Sequence, residues 1–96
     1  MHKRVIATLV VGLVVGCATA PAPKELVDAR AAYQRAQSGD AARLTPAELH
    51  EAKIALDTAE RSYLNSPTAP QTRDLAYVAE RRARLADARE IGRAHV

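Results

Sequence analysis

The sequence predicts an all-α protein, an antiparallel helical hairpin or three-helix bundle that follows a short apolar leader. Alanine, the residue with the highest helix propensity, makes up about a fifth of the chain. Apolar residues recur at intervals of three and four in three later segments, as on one face of a helix. The 96 residues include no Trp or Phe and only three Tyr, so we expect one small domain with a modest core.

Residues 1–16 have the three parts of a bacterial signal peptide. Lys3 and Arg4 supply a positive start, an apolar run extends from Val5 to Val15, and the small residue Gly16 follows. The run is too short to span a membrane, which takes about 20 apolar residues. This segment therefore predicts export from the cytoplasm.

The end of the leader, Val14–Cys17, resembles the bacterial lipobox. The resemblance implies that the Cys17 thiol receives a diacylglyceryl group, that cleavage falls between Gly16 and Cys17, and that a further acyl chain such as palmitate joins the new amine. Ala18, rather than Asp, follows the cysteine, which by the same resemblance implies the periplasmic face of the outer membrane. The alternative is an ordinary signal peptide cleaved after Ala20.

Residues 17–23 predict a tether between the lipidated cysteine and the folded domain. Its alanines and prolines favour an extended backbone, with a reach of roughly 20 Å. We therefore expect the domain to lie close to the membrane surface.

Residues 24–89 predict three helices, the first from Lys24 to Ser38. Gly39 can end this helix by adopting a left-handed conformation. The apolar face of the first helix predicts a core position for four residues: Leu26, Ala29, Tyr33 and Ala36.

The second helix is predicted to begin at Pro46 and to be stopped by Asn65-Ser66-Pro67. Its predicted apolar face comprises Leu49, Ala52, Leu56, Ala59 and Tyr63. Thr45 and Glu48 have the spacing of a capping box, in which the Thr45 hydroxyl accepts a hydrogen bond from the Glu48 amide. Asp57 and Arg61 have the spacing of an exposed ion pair.

The third helix is predicted to begin near Pro70 or Gln71, with Thr68 as a possible cap, and to end at about Arg89. Arg82 falls inside its apolar face. A longer coiled-coil hairpin is the alternative architecture, since the same spacing suits a heptad seam. The predicted apolar face comprises Leu75, Val78, Ala79, Ala83, Leu85 and Ala86.

Residues 90–96 resemble a translated sequencing adapter. The resemblance implies that natural sequence ends near Arg89 and that a longer protein has been truncated there. The alternative is a frayed natural carboxyl terminus.

Charge and motif content exclude several functions. The net charge is +3, but Lys3 and Arg4 contribute two of those charges, so the exported part is nearly neutral and does not suit nucleic-acid binding. The pair His50-Glu51 lacks a second histidine at zinc-helix spacing. With no phosphate loop and no nucleophile paired with a base, the sequence predicts no enzyme, no catalytic residue, no metal site and no cofactor.

Four residues of the third helix form a candidate contact surface. Arg81, Arg82 and Arg84 give a basic stretch, and Tyr77 lies away from the apolar stripe. One interpretation is a solvated face that is paired internally through Glu80–Arg84 and Arg84–Asp87. The other is a contact with an anionic headgroup, lipopolysaccharide or glycan.

Several segments resemble a family of small bacterial lipoproteins that is known only as a domain of unknown function. Members often carry an OmpA-like, peptidoglycan-binding domain after this helical unit. The resemblance therefore implies an outer-membrane lipoprotein with a non-catalytic spacer or adaptor domain, which contacts an envelope protein, or peptidoglycan through a missing module. The alternatives are a self-associating or partner-binding envelope module, including a homo-oligomer, and an accessory subunit of an enzyme. The segments that carry the resemblance are Ala32-Tyr33, Thr45-Pro46-Ala47-Glu48-Leu49, residues 55–60 and residues 75–83.

Overall fold

A computed structural model describes residues 21–94, which form four α-helices and, within that range, no strand. The all-α fold class predicted from the sequence is confirmed. Gly16 and Cys17, the predicted cleavage and lipidation positions, lie outside the described residues. The helices are α1 (Lys24–Ser38), α2 (Ala41–Leu44), α3 (Pro46–Asn65) and α4 (Pro70–Ala94).

The three long helices form an up-down-up bundle. Two layers of the core each take one residue from α1, α3 and α4, and residue numbers rise along α1 and α4 while they fall along α3. Because α4 packs against both α1 and α3, the bundle is present rather than the longer coiled-coil hairpin. The layers are Leu26 with Ala59 and Ala76, and Ala32 with Ala52 and Ala83.

The core of the bundle consists mainly of alanine. Among the buried hydrophobic residues of the described range, only Leu26 and Leu49 are larger. Small side chains allow the helix axes to approach closely. Tyr33 and Tyr63 are partly buried and pack against the edges of this core, as their places on the apolar stripes predict. The fully or nearly fully buried alanines are Ala29, Ala32, Ala36, Ala41, Ala52, Ala59, Ala76, Ala79, Ala83 and Ala86.

Helix α1 has the predicted bounds, but its end differs from the prediction. Gly39 has φ −86° and ψ −156°, so the left-handed cap is wrong. The extended backbone at Gly39 instead leads into the short helix α2, which the sequence analysis did not predict. Ala41 of α2 is buried with Ala36 and Leu49, so this turn of helix closes one end of the bundle.

Helix α3 begins at Pro46, as predicted, and ends at Asn65, the first residue of the predicted stop. The predicted capping box is wrong, because the Thr45 side chain makes no capping hydrogen bond. Its hydroxyl is fully buried and points instead to carbonyl oxygens of other helices. The predicted pair of Asp57 with Arg61 is wrong as well: Asp57 pairs with Lys53 at 3.0 Å.

Helix α4 extends to Ala94, five residues beyond the predicted end at Arg89. Gly92 lies within this helix and does not interrupt it. Within residues 21–94, no helix combines the length and the apolar character that a membrane crossing needs.

Candidate contact surface

The four residues of the predicted contact surface lie together on the outer face of α4. Tyr77, Arg81, Arg82 and Arg84 line an open groove of about 560 Å³. The sequence places all four on one helix, and the structure adds that they share one groove. We call the lining residues the α4 outer face; they are Tyr77, Val78, Arg81, Arg82, Arg84 and Leu85.

The packing of α4 determines which way this face points. Ala76, Ala79, Ala83 and Ala86 are each at most 1% exposed and face α1 and α3. Successive residues of a helix are rotated by about 100°, so the residues of the groove fall on the opposite side. The groove therefore opens away from the bundle.

Two apolar residues belong to this face although the sequence analysis assigned them to the core. Val78 is 45% exposed and Leu85 is 47% exposed. The prediction that they share a face with Ala79, Ala83 and Ala86 is wrong, because the alanines and the partly buried Leu75 make the close contact of α4 with α1 and α3. A helical projection centred on the alanine spacing would have separated the two sets.

The position of Arg82 also differs from the prediction. Its side chain is 51% exposed and is not inside the apolar packing face. It extends along the edge of α4 toward α3, where its Nη1 lies 3.8 Å from a carboxylate oxygen of Glu51. This arrangement leaves the charge of Arg82 in contact with solvent at the edge of the groove.

The three arginines of the face differ in their pairing. Arg84 binds Glu80 of the preceding turn at 2.8 Å, as the solvated-face interpretation predicts, but within the described range the predicted pair of Arg84 with Asp87 does not form. Arg82 has the longer contact with Glu51. Arg81 makes no ion pair with any described residue, and its guanidinium lies over the Tyr77 ring, 5.9 Å from the ring centre. Arg81 is thus the cation of this face most available to an external anion.

Two buried threonines fix the orientation of α4. The Thr72 hydroxyl lies 2.7 Å from the Ser62 hydroxyl and donates to the Ser66 carbonyl, also at 2.7 Å. Near the other end of the bundle, the Thr45 hydroxyl lies 3.1 Å from the carbonyl oxygen of Ala86. Both threonines are fully buried, and a buried hydroxyl is costly without a partner. These bonds restrict rotation of α4, and so they help to keep its outer face exposed.

Neither threonine is predicted by its sequence pattern to make a tertiary contact. Thr45 was assigned to a local cap, and nothing in its sequence context distinguishes the two roles. Thr72 falls at the same helical spacing as Ala76 and Ala79, which is the signal that could have placed it in the interface.

Residues 21–94 hold no group of three histidine, cysteine, aspartate or glutamate side chains arranged to bind a metal ion. His50, set aside in the sequence analysis, is exposed on α3. The α4 outer face presents guanidinium groups, an aromatic ring and aliphatic side chains.

Comparison with known protein families identifies the helical unit. The family described as "Domain of unknown function (DUF4398)" matches residues 24–94, which span all four helices. The chain belongs to the DUF4398 family. The match to DUF4398 continues five residues past Arg89, and the predicted non-native tail stays a prediction. No curated protein and no solved structure shows significant similarity to the chain.

Proposed function

We propose that this DUF4398 protein is a lipoprotein of the outer membrane whose periplasmic helical domain acts as a non-catalytic adaptor. Lipid on Cys17 holds the amino terminus in the membrane, and residues 18–23 connect it to α1. The bundle then presents the α4 outer face to another component of the envelope. The observation that carries the adaptor role is the α4 outer face, where Tyr77 and three arginines line one groove.

The two sides of α4 have different roles, and this difference supports the proposal. The inner side is used for folding, because its alanines are buried and its Thr72 is hydrogen-bonded. The outer side combines an aromatic ring, arginines and aliphatic residues, a composition typical of recognition surfaces. Since Tyr77 is 52% exposed, it is available to a partner without unfolding.

Cell fractionation tests the anchor. We expect the natural chain to sediment with the outer membrane and Cys17→Ser to lose membrane attachment. An Ala18→Asp variant is the matched control, because it keeps the cysteine and, by the resemblance to other lipoproteins, should move the protein to the inner membrane. A natural chain that remains soluble would contradict the proposal.

Site-specific photocrosslinking tests the adaptor role. A photoreactive amino acid at position 77 should form adducts with an envelope component in living cells. The same group at position 64 is the control, because Leu64 is 78% exposed but lies on α3. Equal adduct formation at both positions, or none at either, would contradict the role of the α4 outer face.

A second candidate function is self-association through the same face. It is favoured by the exposed apolar side chains of Val78 and Leu85, which a second copy could cover. Light scattering on the full chain distinguishes the two: a dimer that Leu85→Gln dissociates favours self-association, and a monomer contradicts it.

A further inference from the structure

We propose that the α4 outer face docks on the anionic phospholipid surface of the membrane that holds the anchor. This inference rests on the proposed function, since it names the envelope component that the adaptor meets. It assigns α4 the role of an interfacial helix that lies along the membrane with its outer face toward the headgroups.

The composition of the groove matches such a surface. Its six lining residues comprise three arginines, a tyrosine and two aliphatic residues, and no acid. Arginine, aromatic and aliphatic side chains are the residue types that helices in a membrane interface use to bind headgroups and the acyl boundary. Three acids lie next to the groove without lining it: Glu80 pairs with Arg84 at 2.8 Å, Glu51 lies 3.8 Å from Arg82, and Asp74 is exposed one turn before Val78. The face therefore offers cations for phosphates and apolar groups for the acyl boundary.

The pairing of the arginines leaves charge available for lipid phosphates. Arg81 has only the Tyr77 ring as a partner within the described range, and Arg82 is held at the long distance of 3.8 Å. Arg84 is 63% exposed in spite of its contact with Glu80. Guanidinium groups can bind a phosphate through two hydrogen bonds at once, so exposed arginines suit this partner.

The charge of the α4 outer face also argues against a second copy of the chain as its main partner. Two outer faces packed together would bring six arginines into one interface, while the groove itself contributes no acid. Like charges in contact are unfavourable unless an opposite charge is supplied. An anionic bilayer supplies that charge directly.

The length of the tether permits the contact. Cys17 precedes Lys24 by seven residues, which reach roughly 20 Å when extended. The start of α1 lies level with the start of the groove, because Leu26 and Ala76 occupy the same core layer. Packed helix axes are about 8 to 10 Å apart, so the tether can span the bundle and allow α4 to lie against the bilayer.

The test uses the mature full-length protein mixed with two kinds of vesicle, one of phosphatidylcholine alone and one with added phosphatidylglycerol. Flotation reports attachment, and a fluorophore reports the position of the face through quenching by spin-labelled lipids. The fluorophore is placed by Ala88→Cys, an exposed position one turn beyond Arg84, with Ala31→Cys on α1 as the control. We expect quenching at position 88 only in the anionic vesicles, and little at position 31.

Charge variants provide the second measurement. Arg81→Gln with Arg84→Gln should weaken docking roughly 25-fold, because each arginine near an anionic surface contributes about fivefold. Arg35→Gln with Arg61→Gln removes the same charge from exposed positions on α1 and α3, and should leave docking unchanged. Equal weakening by both pairs would overturn the proposal, since it would show a general charge effect.

The flotation and quenching results together distinguish a failure of membrane docking by α4 from a failure of the lipid anchor. Flotation with both vesicles, with quenching at position 88 only in anionic ones, supports both. Flotation with both vesicles without that quenching supports the anchor and overturns the docking. Flotation with anionic vesicles alone supports the docking and contradicts the anchor, and flotation with neither overturns both.

Discussion

Arg30 of α1 and Glu60 of α3 form a two-point ion pair across the bundle. The Arg30 Nε and Nη2 atoms donate to the two carboxylate oxygens at 2.6 and 2.7 Å, and the guanidinium lies 6.0 Å from the centre of the Tyr63 ring. The hydrogen bond with Glu60 raises the pKa of the Arg30 guanidinium above its ordinary value. The interaction that raises this pKa stabilises the folded protein fully at any pH below the pKa of Arg30 in the unfolded chain. The stabilisation is lost only in strongly alkaline solution.

We predict a measurable coupling between Arg30 and Glu60. In a double-mutant cycle with Arg30→Met and Glu60→Gln, the free energy of unfolding in urea should show a coupling of about 0.5 to 1 kcal/mol. The figure is modest because both side chains are about a third or more exposed.

The exposed pair of Lys53 and Asp57 is the control for this cycle. It has one contact within α3, at 3.0 Å, and both side chains are about half exposed. We expect its coupling to be below about 0.5 kcal/mol. Equal couplings in the two cycles would show that the two-point geometry adds nothing.

Thr72→Val should destabilise the bundle by about 1 to 3 kcal/mol, because it keeps the shape of the side chain but removes a buried hydroxyl. Ser62 and the Ser66 carbonyl would lose the partner that they contact at 2.7 Å. Thermal and urea unfolding measure the change. Thr68→Val is the control, since Thr68 is exposed in the turn before α4. If Thr72→Val lowers the free energy of unfolding no more than Thr68→Val does, the buried hydrogen bonds of Thr72 do not stabilise the packing of α4.

Ala83→Leu should destabilise the protein by at least about 1 to 3 kcal/mol, because three additional carbons must enter a filled contact. Ala83 is completely buried against Ala32 and Ala52. Ala88→Leu makes the same change at an exposed position of α4, where we expect an effect within about 0.5 kcal/mol. Tolerance of leucine at position 83 would contradict the close packing of the alanine core.

The spacing of alanine allowed much of the bundle to be predicted from the sequence. The bounds of α1 and α3 follow from interrupting residues such as Pro46, and from periodic apolar residues such as Leu26 and Leu49. The end of α4 could not be predicted in the same way, because Gly92 is costly in a helix but does not forbid one.

The remaining differences have a common physical origin in tertiary contact. Thr45 has an ideal local pattern for a cap, yet its hydroxyl bonds to carbonyls because α4 lies against it. Val78 and Leu85 are larger and more hydrophobic than alanine, yet they are exposed because close helix packing selects small residues. Local spacing does not reveal which of two apolar sets a neighbouring helix will cover. For the same reason four of the six groove residues could be predicted from the sequence as a contact surface, whereas Val78 and Leu85 could not.

Arg81→Gln should leave the stability of the fold nearly unchanged, within about 0.5 kcal/mol. Arg81 is exposed and makes no ion pair within residues 21–94; its one contact of note is the Tyr77 ring. Urea unfolding measures the free energy of unfolding of Arg81→Gln, and Arg30→Met serves as the destabilising comparison. A loss of stability equal to that of Arg30→Met would assign Arg81 to the fold rather than to recognition.

Intact-mass spectrometry of the mature protein from the cell envelope tests the lipoprotein proposal most directly. We predict that the chain begins at Cys17 and carries the added mass of a diacylglyceryl group and a further acyl chain. An unmodified chain that begins at Thr19 or Pro21, or one that retains its leader, would contradict the anchor and the envelope role built on it.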